Sequence, residues 1–225
     1  MPSTHRTNPI AISIVGALLV ALAASPTRTS AAAAGDYDEF FHDVEIDYAG
    51  GAADLISKGF DPNTRNAKDQ PALTVALLGK SLKVAKVLWE APGIQIDARN
   101  KADETPLMMA ALKGEADAAA ALVARGASVR KDGWSPLHYA TTGGNAAIVK
   151  LLVAHGAPVD ARSPNATTPL MMAAMYGSEG AVDALLAGGA DRSLKNDEGL
   201  DAAAFAAKAG RDKLALRLKA ENAAR

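Results

Sequence analysis

The chain contains no cysteine, few aromatic residues and no surplus of either charge. Without thiols there are no disulfides, no thiolate metal sites, no cysteine nucleophile and no lipidated N-terminal cysteine. An oxidising compartment is permitted but not required. Aromatic residues fill 4% of the 225 positions, while hydrophobic residues of all kinds fill 49%. That is ample for a core, and its bias to alanine and leucine favours closely packed helices over a β-sandwich, which needs bulky β-branched and aromatic side chains. Twenty-four Lys and Arg against 25 Asp and Glu leave a formal charge of -1. No cationic excess is present to neutralise a phosphate backbone, which argues against nucleic acid as a partner. The fold class read from this composition is all-α.

What is present begins with an apolar run from Ile10 to Ala24, preceded by His5 and Arg6 and followed by the small residues of "SPTRTSAAAAG". Charged, apolar and small-residue segments in that order form a secretory signal. At 15 residues the run falls short of the ~18 to 20 that cross a bilayer. Two A-x-A patterns end at Ala23 and Ala34. Cleavage at the second is preferred, because Gly35 would then open the acidic helix start "GDYDEFF"; retention of the segment as a membrane anchor is the alternative. Removal of residues 1–34 takes away Arg6 and Arg28, which leaves a mildly acidic exported protein with a net charge of -3.

The remainder repeats. "ETPLMMAALKG", "WSPLHYATTGG" and "TTPLMMAAMYG" align on Pro106, Pro136 and Pro169, with Pro71 of "QPALTVALLG" placed 35 residues before the first. A second landmark recurs at Gly59, Gly93, Gly126, Gly156 and Gly189, spaced 34, 33, 30 and 33. Both series shorten by three residues between the third and fourth units, which locates a deletion in "SVRKDGW". Thr105, Ser135 and Thr168 stand where a side chain caps a helix, and the prolines that follow occupy the first helical position, where no N–H is needed. Gly126, Gly156 and Gly189 stand where a second helix ends in a left-handed cap. Six units follow, at approximately 36–66, 67–100, 101–130, 131–162, 163–195 and 196–225. The first has an acidic start, and the last bears Lys213, Arg217 and Lys219, so these two read as solvated end caps.

Ser135, Pro136, Leu137, His138, Tyr139 and Ala140 match the T-P-L-H-x-A signature, and the chain resembles the ankyrin repeat from residue 36 to about 222. "GFDPN", "PLHYA" and "TTPLMMAAMYG" are also similar to exported ankyrin proteins of Gram-negative bacteria. The resemblance implies a solenoid of helix-turn-helix units joined by hairpin-like loops. It assigns His138 a structural role, tying neighbouring turns together. It further implies a periplasmic or secreted, monomeric module that binds another protein and needs no cofactor, metal or catalytic residue.

The sequence offers little chemistry. Gly79, Lys80 and Ser81 copy the end of a phosphate-binding loop, but Thr74 stands where that motif needs glycine, and the repeat register places the fragment between two helices. His42 with Asp43, Glu45 and Asp47 offers the alternative reading, a metal-binding or enzymatic protein acting through the acidic first helix. The simpler reading is a soluble helix start that complements the helix dipole. Met108, Met109, Met171 and Met172 read as core filler, and Trp89 as packing between units.

In ankyrin proteins, partners meet the loop tips and the exposed ends of the first helices. Carried over by position, the tips are Asp69, Gln70, Lys101, Glu104, Lys131, Trp134, Asn165, Thr167, Asn196 and Leu200. The helix ends are Leu77, Leu112, Lys113, Met175 and Tyr176. Trp134 and Tyr176 are the expected anchors, each costing about 2 kcal/mol or more on truncation to alanine. Alternatively Trp134 folds over the shortened loop and fills space left by the deletion.

Overall fold

A computed structural model of the chain describes residues 30–220, with side chains from 34 to 219. Twelve helices form six antiparallel pairs among the described residues, and there is no strand, only a single β-bridge between Arg65 and Pro71. The pairs are α1 (Ser30–Glu45) with α2 (Ala49–Ser57), α3 (Ala72–Gly79) with α4 (Leu82–Glu90) and α5 (Pro106–Lys113) with α6 (Ala116–Ala124). They continue as α7 (Pro136–Thr142) with α8 (Ala146–Ala154), α9 (Pro169–Tyr176) with α10 (Glu179–Ala187) and α11 (Ala202–Lys208) with α12 (Asp212–Ala220). The first helices pack in one row, α1 to α11, and the second helices from α2 to α10 in another. The core lies between the rows: Leu107, Leu137 and Leu170 from the first meet Leu122, Leu152 and Leu185 from the second, all fully buried. Buried alanines such as Ala76, Ala110, Ala140 and Ala173 let the first helices approach closely.

The helix boundaries follow from local chemistry. Thr105 and Thr168 each accept the N–H three residues ahead, at 3.3 and 3.4 Å, with proline next. In return the sulfurs of Met108 and Met171 receive the threonine N–H at 3.4 Å, so a thioether closes a capping box in place of the usual carboxylate or amide. At Ser135 the hydroxyl instead faces the imidazole, 2.9 Å from His138 Nδ1. Gly126, Gly156 and Gly189 take φ of 89°, 82° and 88°. The alanine after each donates to the carbonyl five residues back, Leu122, Leu152 or Leu185, which closes the left-handed terminus expected of them.

Two expectations about register are corrected. Pro71 is the cap of α3 rather than its first residue, so Ala72, not Pro71, corresponds to Pro106. The spacing becomes 34 residues, in step with Gly59 and Gly93. The first helix is already formed at Ser30, the first described residue and ahead of Gly35, and alanines 31–34, strong helix formers, favour that upstream extension. Apart from residues 30–34, which lie on α1, the expected signal segment is outside the described residues.

Side chains stitch one unit to the next at both ends of the helix pairs. At the inter-helix turns, Asn145 Nδ2 donates to Gly114 O at 2.9 Å, Ser178 Oγ to Gly144 O at 2.7 Å and Arg211 to Gly177 O at 2.9 Å. Along the hairpin loops, Arg65 donates to Arg99 O and Arg162 to Lys195 O, both at 2.7 Å, while Asp97 and Asp160 accept from Ser128 N and Asp191 N. Each unit thereby fixes the position of the next, which makes the array a rigid platform for whatever its first-helix row presents.

Candidate functional site

The loop tips are shaped by one polar side chain per turn. Asn66, Asn100 and Asn196 each accept two backbone N–H groups from the residues two and four ahead, and Ser163 accepts from Thr167 N. The fourth unit has Arg130 at that position, a residue that cannot accept. There Lys131 takes over: its Nζ donates to the carbonyls of Asp132 and Trp134 and lies 2.5 Å from Asp103, with 8% of its side chain exposed. Lys131 is therefore a clamp for the shortened loop and not a cation offered to a partner. Asn196 and Thr167 are likewise buried, the former by its turn and the latter beneath His138.

Trp134 projects from this clamped loop and packs edge-on against His138, with ring centroids 5.3 Å apart. His138 Nδ1 accepts the Ser135 N–H at 3.2 Å, and Nε2 therefore donates to Thr167 O at 2.9 Å, which ties the fourth unit to the fifth as the family resemblance implies. Burial pushes its pKa down to about 4, against the Thr167 hydrogen bond, which favours the charged ring. Tyr139 donates its hydroxyl to Glu104 at 2.7 Å, and Asn100 donates to the other oxygen of that carboxylate. Burial and the Glu104 charge raise the phenol well above its ordinary range. Glu104 is thus a positioning residue that holds Tyr139 in place.

Trp134, His138 and Tyr139, with Leu112, Thr142 and Met172, line an open cavity of about 250 Å³. A second, of about 310 Å³, shares Trp134 and Met172 and continues past Met175, Tyr176, Phe205 and Lys208 to the tips at Asn165 and Leu200. The shared walls make a single trough across the third to sixth units. Tyr176 is 61% exposed at its rim. Trp134 is half-buried, a wall of both cavities and a lid on the core at once.

Of the residues singled out by sequence, Trp134, Tyr176, Met175 and Leu112 meet in this trough. Glu104 stands behind it. Lys113 lies half-buried at the end of α5 and lines neither cavity. Leu77 is wrong: it is fully buried in the core, and Leu78, 37% exposed, takes the helix-end position. The error is the one-residue slip at Pro71, since Leu77 corresponds to Ala111 and Ala174, both buried, and a helix turns ~100° per residue.

Tyr139, Thr142, Met172 and Phe205 were missed. Their signal was periodicity: Tyr139 and Met172 are three residues after the helix-start prolines, and Thr142 and Met175 three further, so each pair shares a helix face.

The acidic first helix does not assemble a metal site. Asp47 takes φ 56° and accepts from Lys83 N and Val84 N, capping α4. Asp43 is buried, its pKa raised by that burial and by Glu39, whereas His42 and Glu45 face outward. No group of three metal-binding side chains converges among the described residues. The Gly79–Ser81 fragment forms the turn between α3 and α4, away from any strand. No described helix is long and apolar enough to cross a membrane.

Six stacked helix pairs with hairpin loops and a first-helix trough define a helical-repeat solenoid of the kind that presents a binding face. The family model for ankyrin repeats in three copies matches residues 48–131, 92–163 and 123–196, and the chain belongs to this family. The unmatched ends contain the first helix of the first unit and nearly all of the last unit, the two units that depart from consensus. The chain is similar to zygote-specific protein 3 of Chlamydomonas reinhardtii, 37% identical over 92 residues, which are 40% of this chain and 25% of that protein. It is 30% identical to the B-cell lymphoma 3 protein homolog of Mus musculus over 63% of this chain and 33% of that one. Protein glp-1 of Caenorhabditis elegans is 28% identical over 68% and 13%. The chain spans about a third or less of the length of these relatives. Ankyrin repeats generally mediate protein–protein interaction and are generally non-catalytic.

Proposed function

We propose that the chain is an exported, monomeric scaffold that holds a partner protein in the trough between Leu112 and Phe205. The observation that carries this reading is the row of half-buried Trp134, Tyr139, Met172 and Met175 with exposed Tyr176, fixed on a rigid frame. Partly exposed aromatic and methionine side chains ringed by polar tips are the composition of a protein interface. The two cavities are about 250 and 310 Å³, at or below the ~300–1,000 Å³ of small-molecule sites. They suit side chains of a partner better than a free metabolite.

Export is supported by the order of segments before Ser30. Affinity capture from an envelope extract tests binding: a partner retained by the native chain and lost from a Trp134→Ala, Tyr176→Ala double variant is expected, and equal retention by both defeats the assignment to this trough. Mass spectrometry of the protein recovered from cells reads its first residue. Cleavage after Ala23 leaves residues 30–45 of α1 in place, cleavage after Ala34 removes residues 30–34 from it, and an intact N-terminus refutes export by a cleaved signal. Light scattering of the purified chain checks the monomer.

A further inference from the structure

Beyond the trough, the loop tips of the second and third units border an open hollow of about 230 Å³, lined by Lys68, Gln70, Asn100, Lys101, Ala102 and Glu104. Its charges are unbalanced. Most cations of the neighbouring loops are engaged: Arg65 with Asp69 and Arg99 O, Arg99 with Asp103, and Lys131 with Asp103. Lys68 and Lys101 are exposed and, among the described residues, form no ion pair. Glu104, the one carboxylate in that wall, is occupied by Tyr139 and Asn100. Two open ammonium groups therefore stand at one end of an apolar trough, and Tyr139 and Glu104 join the two surfaces.

We infer that the partner segment is acidic as well as apolar: an aromatic or large aliphatic side chain seats against Trp134 and Met172 while a carboxylate reaches Lys68 and Lys101. This deepens the trough reading and rests on it. First helices pack ~8–10 Å apart and an extended chain rises ~3.3 Å per residue, so one repeat corresponds to about three residues of ligand. The polar cavity lies between units two and three and the aromatic pocket is centred on unit four, which places the carboxylate about four or five residues from the anchor in an extended segment. Charge matching of this kind sets the register and speeds encounter, with the apolar anchor supplying most of the affinity.

The test is selection of a random 12-residue displayed peptide library on the full chain, followed by affinity measurement with the enriched peptides as probes. Enriched peptides are expected to carry an aromatic residue with Asp or Glu a few positions away. Lys68→Glu with Lys101→Glu should weaken them roughly tenfold, and replacing the peptide acid by Lys should restore binding to that variant. Both lysines are exposed, and an unchanged helical circular dichroism spectrum shows that the fold is kept. Peptides that need Met172 and Tyr176 but ignore the lysine reversal, or that are enriched in basic residues, overturn the acidic partner and leave the trough standing. Peptides indifferent to Met172→Ala with Tyr176→Ala overturn both.

Discussion

At His138 the two ring nitrogens face a donor and an acceptor: the Ser135 N–H and the Thr167 carbonyl. The neutral ring with hydrogen on Nε2 satisfies both. Burial of this ring lowers its pKa to about 4, against 6.5 for a free histidine. Between those values the unfolded chain binds a proton that the folded chain refuses. The stability involved is present above pH 6.5, falls as the pH drops through the window and is gone near pH 4, a loss of at most about 3 kcal/mol. Met108 and Met171 show that a thioether fits the same position. Urea denaturation at pH 7 and pH 4.5 is expected to give His138→Met a smaller acid loss than the native chain; equal losses would assign the acid sensitivity to carboxylates. Thr74 occupies the corresponding place in the second unit, buried with its hydroxyl unpartnered. Thr74→Val keeps the shape and removes the stranded group, so a gain of about 1 kcal/mol in the same measurement is expected.

At the scale of elements, the helices were legible because their punctuation is local. A threonine, a proline and a glycine at fixed spacing specify where α5 and α9 begin and where α6, α8 and α10 end. The second unit shows the limit of that reading. Pro71 looks like the other prolines but caps α3, and one residue of slip rotated Leu77 from the core to the surface in the expectation. Lys131 was misread for another reason: its partners, Asp103 and two loop carbonyls, meet it only once the shortened loop has closed. Close packing of helices was expected from the alanines, but the tightest backbone approach, at Gly143, was not visible. A Cβ on Gly143 would lie 2.5 Å from Ala111 O and 2.7 Å from Leu112 O. Gly143→Ala must push α7 away from α5, and a loss of about 1–3 kcal/mol by thermal melting is expected. No loss would mean that the two helices separate freely, and with them the Leu112 and Thr142 walls of the trough.

Across the whole molecule, the fold was legible because each unit repeats the same solution, whereas the trough was only half legible because it is made between units. Trp134 and Met172 are 38 residues apart in the chain yet line the same cavities. A stacked array of this kind is held by nearest-neighbour interfaces, so its ends should open before its middle. Arg211 isolates the last of those interfaces. One guanidinium nitrogen donates to the carbonyls of Ala173, Ala174 and Gly177 at 2.9 to 3.0 Å, joining the sixth unit to the end of α9. Hydrogen bonds from a charged donor contribute roughly 1.5–3 kcal/mol, so Arg211→Ala should loosen that junction without emptying the core. Amide hydrogen exchange is expected to quicken in α11 and α12, to rise slightly in α9 and to stay unchanged in α5 and α7. A uniform rise across all units would mean that the array opens as one cooperative body. In that case loss of this one junction would loosen the whole trough, from its wall at Leu112 to its wall at Phe205.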